Sequence, residues 1–82
     1  MTFYLDTETT GLDSTDEVIE LAIIDDDDQV IIDTLLRPVH VTEWPNAQKI
    51  HGIDPAEVLR NDLPTLADLA PHITTILSAH IS

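Results

Sequence analysis

The sequence predicts an α/β protein: a three-stranded sheet, the first strand beside an antiparallel hairpin, followed by helices. Two observations carry this. Val18–Ile24 and Val30–Leu36 are apolar, β-branched runs separated by the short polar stretch Asp25–Gln29, the signature of a hairpin. From His40 onward, proline, glycine and capping residues punctuate short segments with helical spacing.

In chain order, Phe3–Asp6 reads as a short buried strand, and polar Thr9–Asp16, with Gly11, reads as a loop. Val18–Ile24 is too continuously apolar for a half-solvated strand, so it belongs in the sheet centre, with Glu20 as the exception. Thr42 is placed to cap a short helix running towards Ile50, with Pro45 in its first turn and Gly52 ending it. Asp54-Pro55-Ala56-Glu57 supplies an N-cap, a proline at the first helical position and a glutamate to close a reciprocal box. Asn61–Pro64 breaks that helix, and Thr65–Asp68 starts the last one in the same manner. There Leu66, Leu69, Ile73, Ile76, Leu77 and His80 recur at helical spacing, while Pro71 removes one ladder bond near Ala67. The apolar stripe should pack on the chain's own strands, and any surplus favours association.

The chain of 82 residues is at most one domain, burying about 60–65% of its extended surface. It has no cysteine, hence no disulfide or thiolate site. No signal-peptide pattern and no apolar run of membrane-spanning length occur, so a cytoplasmic protein without a membrane partner is expected. Against 16 acidic residues stand only Arg37, Lys49 and Arg60, for a formal charge of −13. Such a surface does not coat nucleic acid. It is compatible with an enzyme that grips one strand end through metal ions.

The chemistry-bearing stretch is F-Y-L-D-T-E-T-T-G, Phe3 to Gly11. Asp6 and Glu8, two apart on a strand, project to one face, with carboxylates roughly 5–7 Å apart. Hard oxygen donors of this kind select Mg²⁺, Mn²⁺ or Ca²⁺. That separation suits opposite sides of a pair of divalent ions about 4 Å apart. Thr7 points to the other face. Thr9, Thr10 and Gly11 make a turn whose small residues and open N–H groups suit a terminal nucleotide. Asp25–Asp28 lacks the glycine and closing glutamate of a calcium loop and reads as a solvated turn. Trp44 reads as a packing anchor, and His40 and His72 as surface residues.

F-Y-L-D-T-E-T-T-G-L, then D-E-V-I-E-L-A-I-I, L-L-R-P and I-H-G-I, resemble in order and spacing the DEDD (DnaQ-like) 3'–5' exonuclease family, over essentially the whole chain. The resemblance implies the N-terminal part of a ribonuclease-H-like fold. It implies metal-dependent hydrolysis at the 3' end of single-stranded DNA or RNA, giving 5'-monophosphates. Asp6 would bridge two Mg²⁺ or Mn²⁺ ions, and Glu8 would hold the one that positions the attacking water. Thr9 and Thr10 match residues lining the 3'-terminal nucleotide pocket. His51 and Ile53 fall in a block near that pocket, and Leu12 is placed against the terminal sugar or base.

The chain also departs from the family. Ala79-His80 matches the opening of its second motif, but Ile81 stands where asparagine is usual. The aspartate that follows there, and the third motif with its general base, have no counterpart in the sequence. Residues 1–82 are therefore expected to form a partial exonuclease domain, inactive or incomplete alone. Either a second polypeptide or self-association completes it, or it is an inactive truncated remnant or interaction module.

Overall fold

The computed structural model describes residues 2–81, and of residues 80 and 81 the backbone alone. Three strands, β1 (Phe3–Thr9), β2 (Val18–Asp25) and β3 (Val30–Leu35), are followed by helices α1 (Pro45–His51), α2 (Pro55–Val58) and α3 (Leu66–Ile81). The sheet is antiparallel in the order β1-β2-β3. This is the N-terminal part of a ribonuclease-H-like α/β fold.

The hairpin closes because Asp25 caps its own turn. Its Oδ1 accepts the N–H groups of Asp27 at 2.8 Å and Gln29 at 2.9 Å. Its N–H donates to the Gln29 carbonyl at 3.0 Å. Asp28 takes the left-handed backbone that this closure needs, at φ 61°.

Two irregularities decide where side chains go. The β1–β2 register steps from Glu8↔Glu20 to Thr9↔Val18, leaving Ile19 as an extra residue on β2. The β2–β3 register steps from Ile23↔Ile32 to Ile24↔Val30, leaving Ile31 extra on β3. Each bulge turns consecutive residues towards the same side. Ile19 thereby joins Trp44, Ile53 and Val58, with Leu35 against them. Leu21, Ile23 and Leu36 form a second cluster with Ile31, Ile32 and the helix residues Leu69, Ile73 and Leu77. Leu35 and Leu36 are consecutive yet enter different clusters, so the two cores lie on opposite faces of the sheet. One face carries α3; the other carries α1 and α2 at one end.

Several expectations are corrected. The first strand reaches Thr9 and is not buried: Tyr4 and Leu5 are exposed because β1 is an outer strand. β2 is central, but it alternates buried with half-buried residues, since helices cover only part of one face. Thr42 does not cap α1; the residue before Pro45 is Trp44, at φ −152° and ψ 67°, with no side-chain cap. The proline ring drives its predecessor out of the helical region and sets φ for the first turn itself. Gly52 ends α1 as expected, at φ 75°, donating to the Gln48 carbonyl.

Asp54 caps α2 through the Ala56 N–H at 2.9 Å. The full reciprocal box is found at α3 instead. The Thr65 N–H donates to Asp68 Oδ2, and the Asp68 N–H donates to Thr65 Oγ1, each at 3.1 Å. The Asp68 carboxyl is held below its usual range, first by the Thr65 N–H and then by the Thr65 hydroxyl. Of the predicted stripe, Leu69, Ile73 and Leu77 pack on the sheet, Leu66 is 44% exposed, and the His80 side chain lies outside the described residues. No helix among the described residues is long and apolar enough to cross a membrane.

Candidate metal and nucleotide site

Asp6 pairs with Ala22 and Glu8 with Glu20, so Asp6 and Glu8 share a sheet face. Glu20 stands directly across from Glu8 on that face, half-buried. Facing like charges destabilise a sheet, and none of the three strands contains a lysine, arginine or histidine to offset them. A cation would.

Beyond Glu8 the strand runs into a cleft of about 600 Å³ between the loop of residues 10–16 and α1. Glu8, Thr9, Thr10, Leu12 and His51 line it, as do Asp13, Asp16, Trp44, Asn46 and Ile50. Asp6 lies two pairings back along the strand from Glu8 and outside the lining. Ile53 is buried behind the wall in the Trp44 cluster. Leu12 is fully exposed at the rim, and Ile50 is 87% exposed. Ile50 was not anticipated: a lone isoleucine late in a short helix has nothing to mark it as a cleft residue.

The threonines are tied up in the loop. Thr9 Oγ1 donates to the Gly11 carbonyl at 2.9 Å. Thr10 Oγ1 donates to Asp16 Oδ1 at 2.7 Å and accepts the Glu17 N–H at 2.9 Å. The Thr10 N–H, expected to be open to a ligand, donates to the Glu17 carbonyl at 2.9 Å. Their visible task is to shape the loop.

Gly11 belongs to the same knot. A Cβ there would stand 2.8 Å from the Asp16 Cγ, and the Asp16 carboxylate is held by Thr10 Oγ1 and the Asp13 N–H. Gly11→Ala should therefore detach Asp16 and cost about 1–3 kcal/mol, read as a lower denaturation midpoint in urea.

His51 closes the other wall. Its Nδ1 accepts the Ile53 N–H at 3.0 Å, so the ring proton sits on Nε2, which donates to the Thr9 carbonyl at 3.0 Å. The imidazole staples the end of β1 to the turn after α1. With both nitrogens engaged, it is not poised as a base.

Glu17 is the residue that no sequence signal revealed. Its carboxylate accepts the N–H groups of Val39 at 2.7 Å and of His40 and Val41 at 2.8 Å. It thereby pins the segment entering α1 to the loop that follows β1. Desolvation raises its pKa, but the three backbone bonds outweigh this and hold it below the ordinary glutamate value. The stabilisation is therefore present above the ordinary value of 4.5 and is lost as pH falls through the lower, folded value. Glu17→Ala should cost about 1–2 kcal/mol at pH 7, discounted for solvent screening. The deficit against the parent should shrink as pH falls from that ordinary value through the lower, folded one, visible in paired melts.

A second acidic group lies at the other end of the sheet. Carboxylate oxygens of Asp25, Asp26 and Asp27 lie within 4.8 Å of one another, enough to hold one hard cation. No second group of three or more ligating residues forms among the described residues. Asp25 faces Phe3 across the sheet, about 17 Å along the strand from Glu8.

The family model described as exonuclease, RNase_T, matches residues 3–78. No curated protein and no solved structure matches the chain. With all but a few terminal residues inside that match, the chain belongs to the RNase_T exonuclease family.

Proposed function

We propose that this chain carries the first carboxylate pair of a metal-dependent 3'–5' exonuclease, with the cleft receiving the 3'-terminal nucleotide of single-stranded DNA or RNA. The reading rests on Asp6 and Glu8 sharing one uncompensated sheet face, with Glu8 itself lining an apolar-rimmed cleft. Hard oxygen donors fit Mg²⁺ or Mn²⁺. When bound, such ions supply Lewis-acid stabilisation of phosphoryl charge and an activated water. Asp6 and Glu8 would hold the ions. Leu12 and Ile50, both exposed in the cleft lining, would pack against a sugar or base, and Glu17 and His51 keep the two walls in register. The cleft's own acids, Glu8, Asp13 and Asp16, repel a bare phosphate, so nucleotide binding should require the divalent ion.

The same geometry favours a second reading for the isolated chain. Two carboxylates undersupply two ions, and the imidazole in the cleft is engaged on both nitrogens, so turnover should be weak or absent until another polypeptide supplies further ligands and a base. Incubation with a 3'-labelled oligonucleotide and Mn²⁺ tests both. Turnover abolished by Asp6→Ala supports the enzyme; turnover that survives Asp6→Ala removes the pair from the chemistry. Inactivity relieved by a second polypeptide supports the incomplete site.

A further inference from the structure

Just past Glu8 the β1–β2 ladder breaks step: Glu8 faces Glu20, but Thr9 faces Val18, and Ile19 is left over on β2. A bulge is a point at which a strand can re-aim its side chains, and the like charge of Glu20 pushes Glu8 away. What holds the chain here comes from outside the sheet. His51 Nε2 donates to the Thr9 carbonyl at 3.0 Å. The Thr10 N–H, at the other end of the same peptide unit, donates to the Glu17 carbonyl at 2.9 Å. That unit is planar, so bonds at both ends fix its orientation, and Glu8 is one residue away.

His51 is itself anchored. It is the last residue of α1, and its Nδ1 accepts the N–H of Ile53 at 3.0 Å. Ile53 is buried in the Trp44 cluster. A backbone N–H only donates and a carbonyl only accepts, so the neutral ring with its proton on Nε2 is the form that satisfies both partners. The imidazole thereby transmits the position of a packed core to the carbonyl beside Glu8.

We propose that His51 is a positioning residue for the metal site. Through the Thr9 carbonyl it fixes the backbone that aims Glu8, and so raises the affinity of the Asp6–Glu8 face for a hard divalent cation. The proposal rests on the reading of Asp6 and Glu8 as metal ligands and deepens it: a residue of the nucleotide wall also sets how tightly the ion is held. Groups that orient a ligand without touching the metal tune affinity by about 10–100-fold.

Two substitutions separate the two bonds of the ring. His51→Asn keeps an acceptor oxygen at the place of Nδ1 and loses the donor to Thr9. His51→Gln keeps an N–H at the place of Nε2 and loses the acceptor for Ile53. Each removes one hydrogen bond, so both should lower the melting temperature by similar amounts. Mn²⁺ affinity, measured by water-proton relaxation below both melts, should divide them: about tenfold weaker for His51→Asn, within about twofold of the parent for His51→Gln. An affinity for His51→Asn equal to or above that for His51→Gln overturns the proposal, because a merely structural histidine gives no such order. The parent supplies a measurement that needs no variant. Titration with diamagnetic Mg²⁺ should shift the Glu8 and Thr10 amide nitrogens and the His51 Nε2 resonance together. A shift at Glu8 without one at His51 overturns the proposal and leaves Asp6 and Glu8 as ligands. No shift at residues 6–9 removes the metal reading and the proposal with it.

Discussion

Trp44→Ala should abolish cooperative unfolding of this protein near room temperature. The indole is 3% exposed, sits among Ile19, Ile53 and Val58, and donates its Nε1–H to the Ile53 carbonyl at 2.9 Å. Truncating a buried tryptophan costs about 3–5 kcal/mol, and the orphaned carbonyl adds about 1–3 kcal/mol more. Small domains have only about 5 kcal/mol to lose. Trp44→Phe keeps most of the volume and forfeits the hydrogen bond, so it should fall between parent and alanine variant. Thermal melts followed by circular dichroism read the order. A Trp44→Ala chain that melts cooperatively within a few degrees of the parent would show that this cluster does not hold α1 and α2 to the sheet.

Removing the carboxylate pair should have opposite effects on stability and on chemistry. Asp6→Ala and Glu8→Gln should each weaken Mn²⁺ binding and, in any assembly that turns over, lower the rate by about 10²–10⁴, the several kcal/mol of charge stabilisation a lost ligand forfeits. Without metal, Glu8→Gln relieves the repulsion across from Glu20 and should raise the melting temperature by up to a few degrees. A functional site built against local stability gives both signs together. A fall in metal-free stability on Glu8→Gln would mean that Glu8 is structural.

The hairpin, the proline-led helices and the capping box at Thr65 were legible because each is written within a few consecutive residues. So was the shared face of Asp6 and Glu8, which follows from strand period alone. What was not legible depends on residues far apart in the chain. The Glu17 clamp spans 22 to 24 residues, and nothing in D-E-V-I-E-L marks Glu17 as the carboxylate that gathers three backbone N–H groups. The bulges at Ile19 and Ile31 likewise leave no mark in an all-apolar run, yet they send Ile19 and Leu35 to one core and Leu36 to the other. The start of α1 has a local cause: Thr42 has the chemistry of a cap, but Pro45, three residues later, fixes the first turn.

Two acidic groups are candidates for a divalent ion, the proposed pair Asp6 and Glu8 on one sheet face and Asp25–Asp27 at the far turn. Paramagnetic broadening of backbone amides by substoichiometric Mn²⁺ separates them, because the effect decays steeply over the length of one strand. Broadening centred on residues 6–9 and 20–22, removed by Asp6→Ala, is the predicted result. Broadening centred on residues 25–29 and untouched by Asp6→Ala would contradict the assignment and place the ion at the hairpin turn.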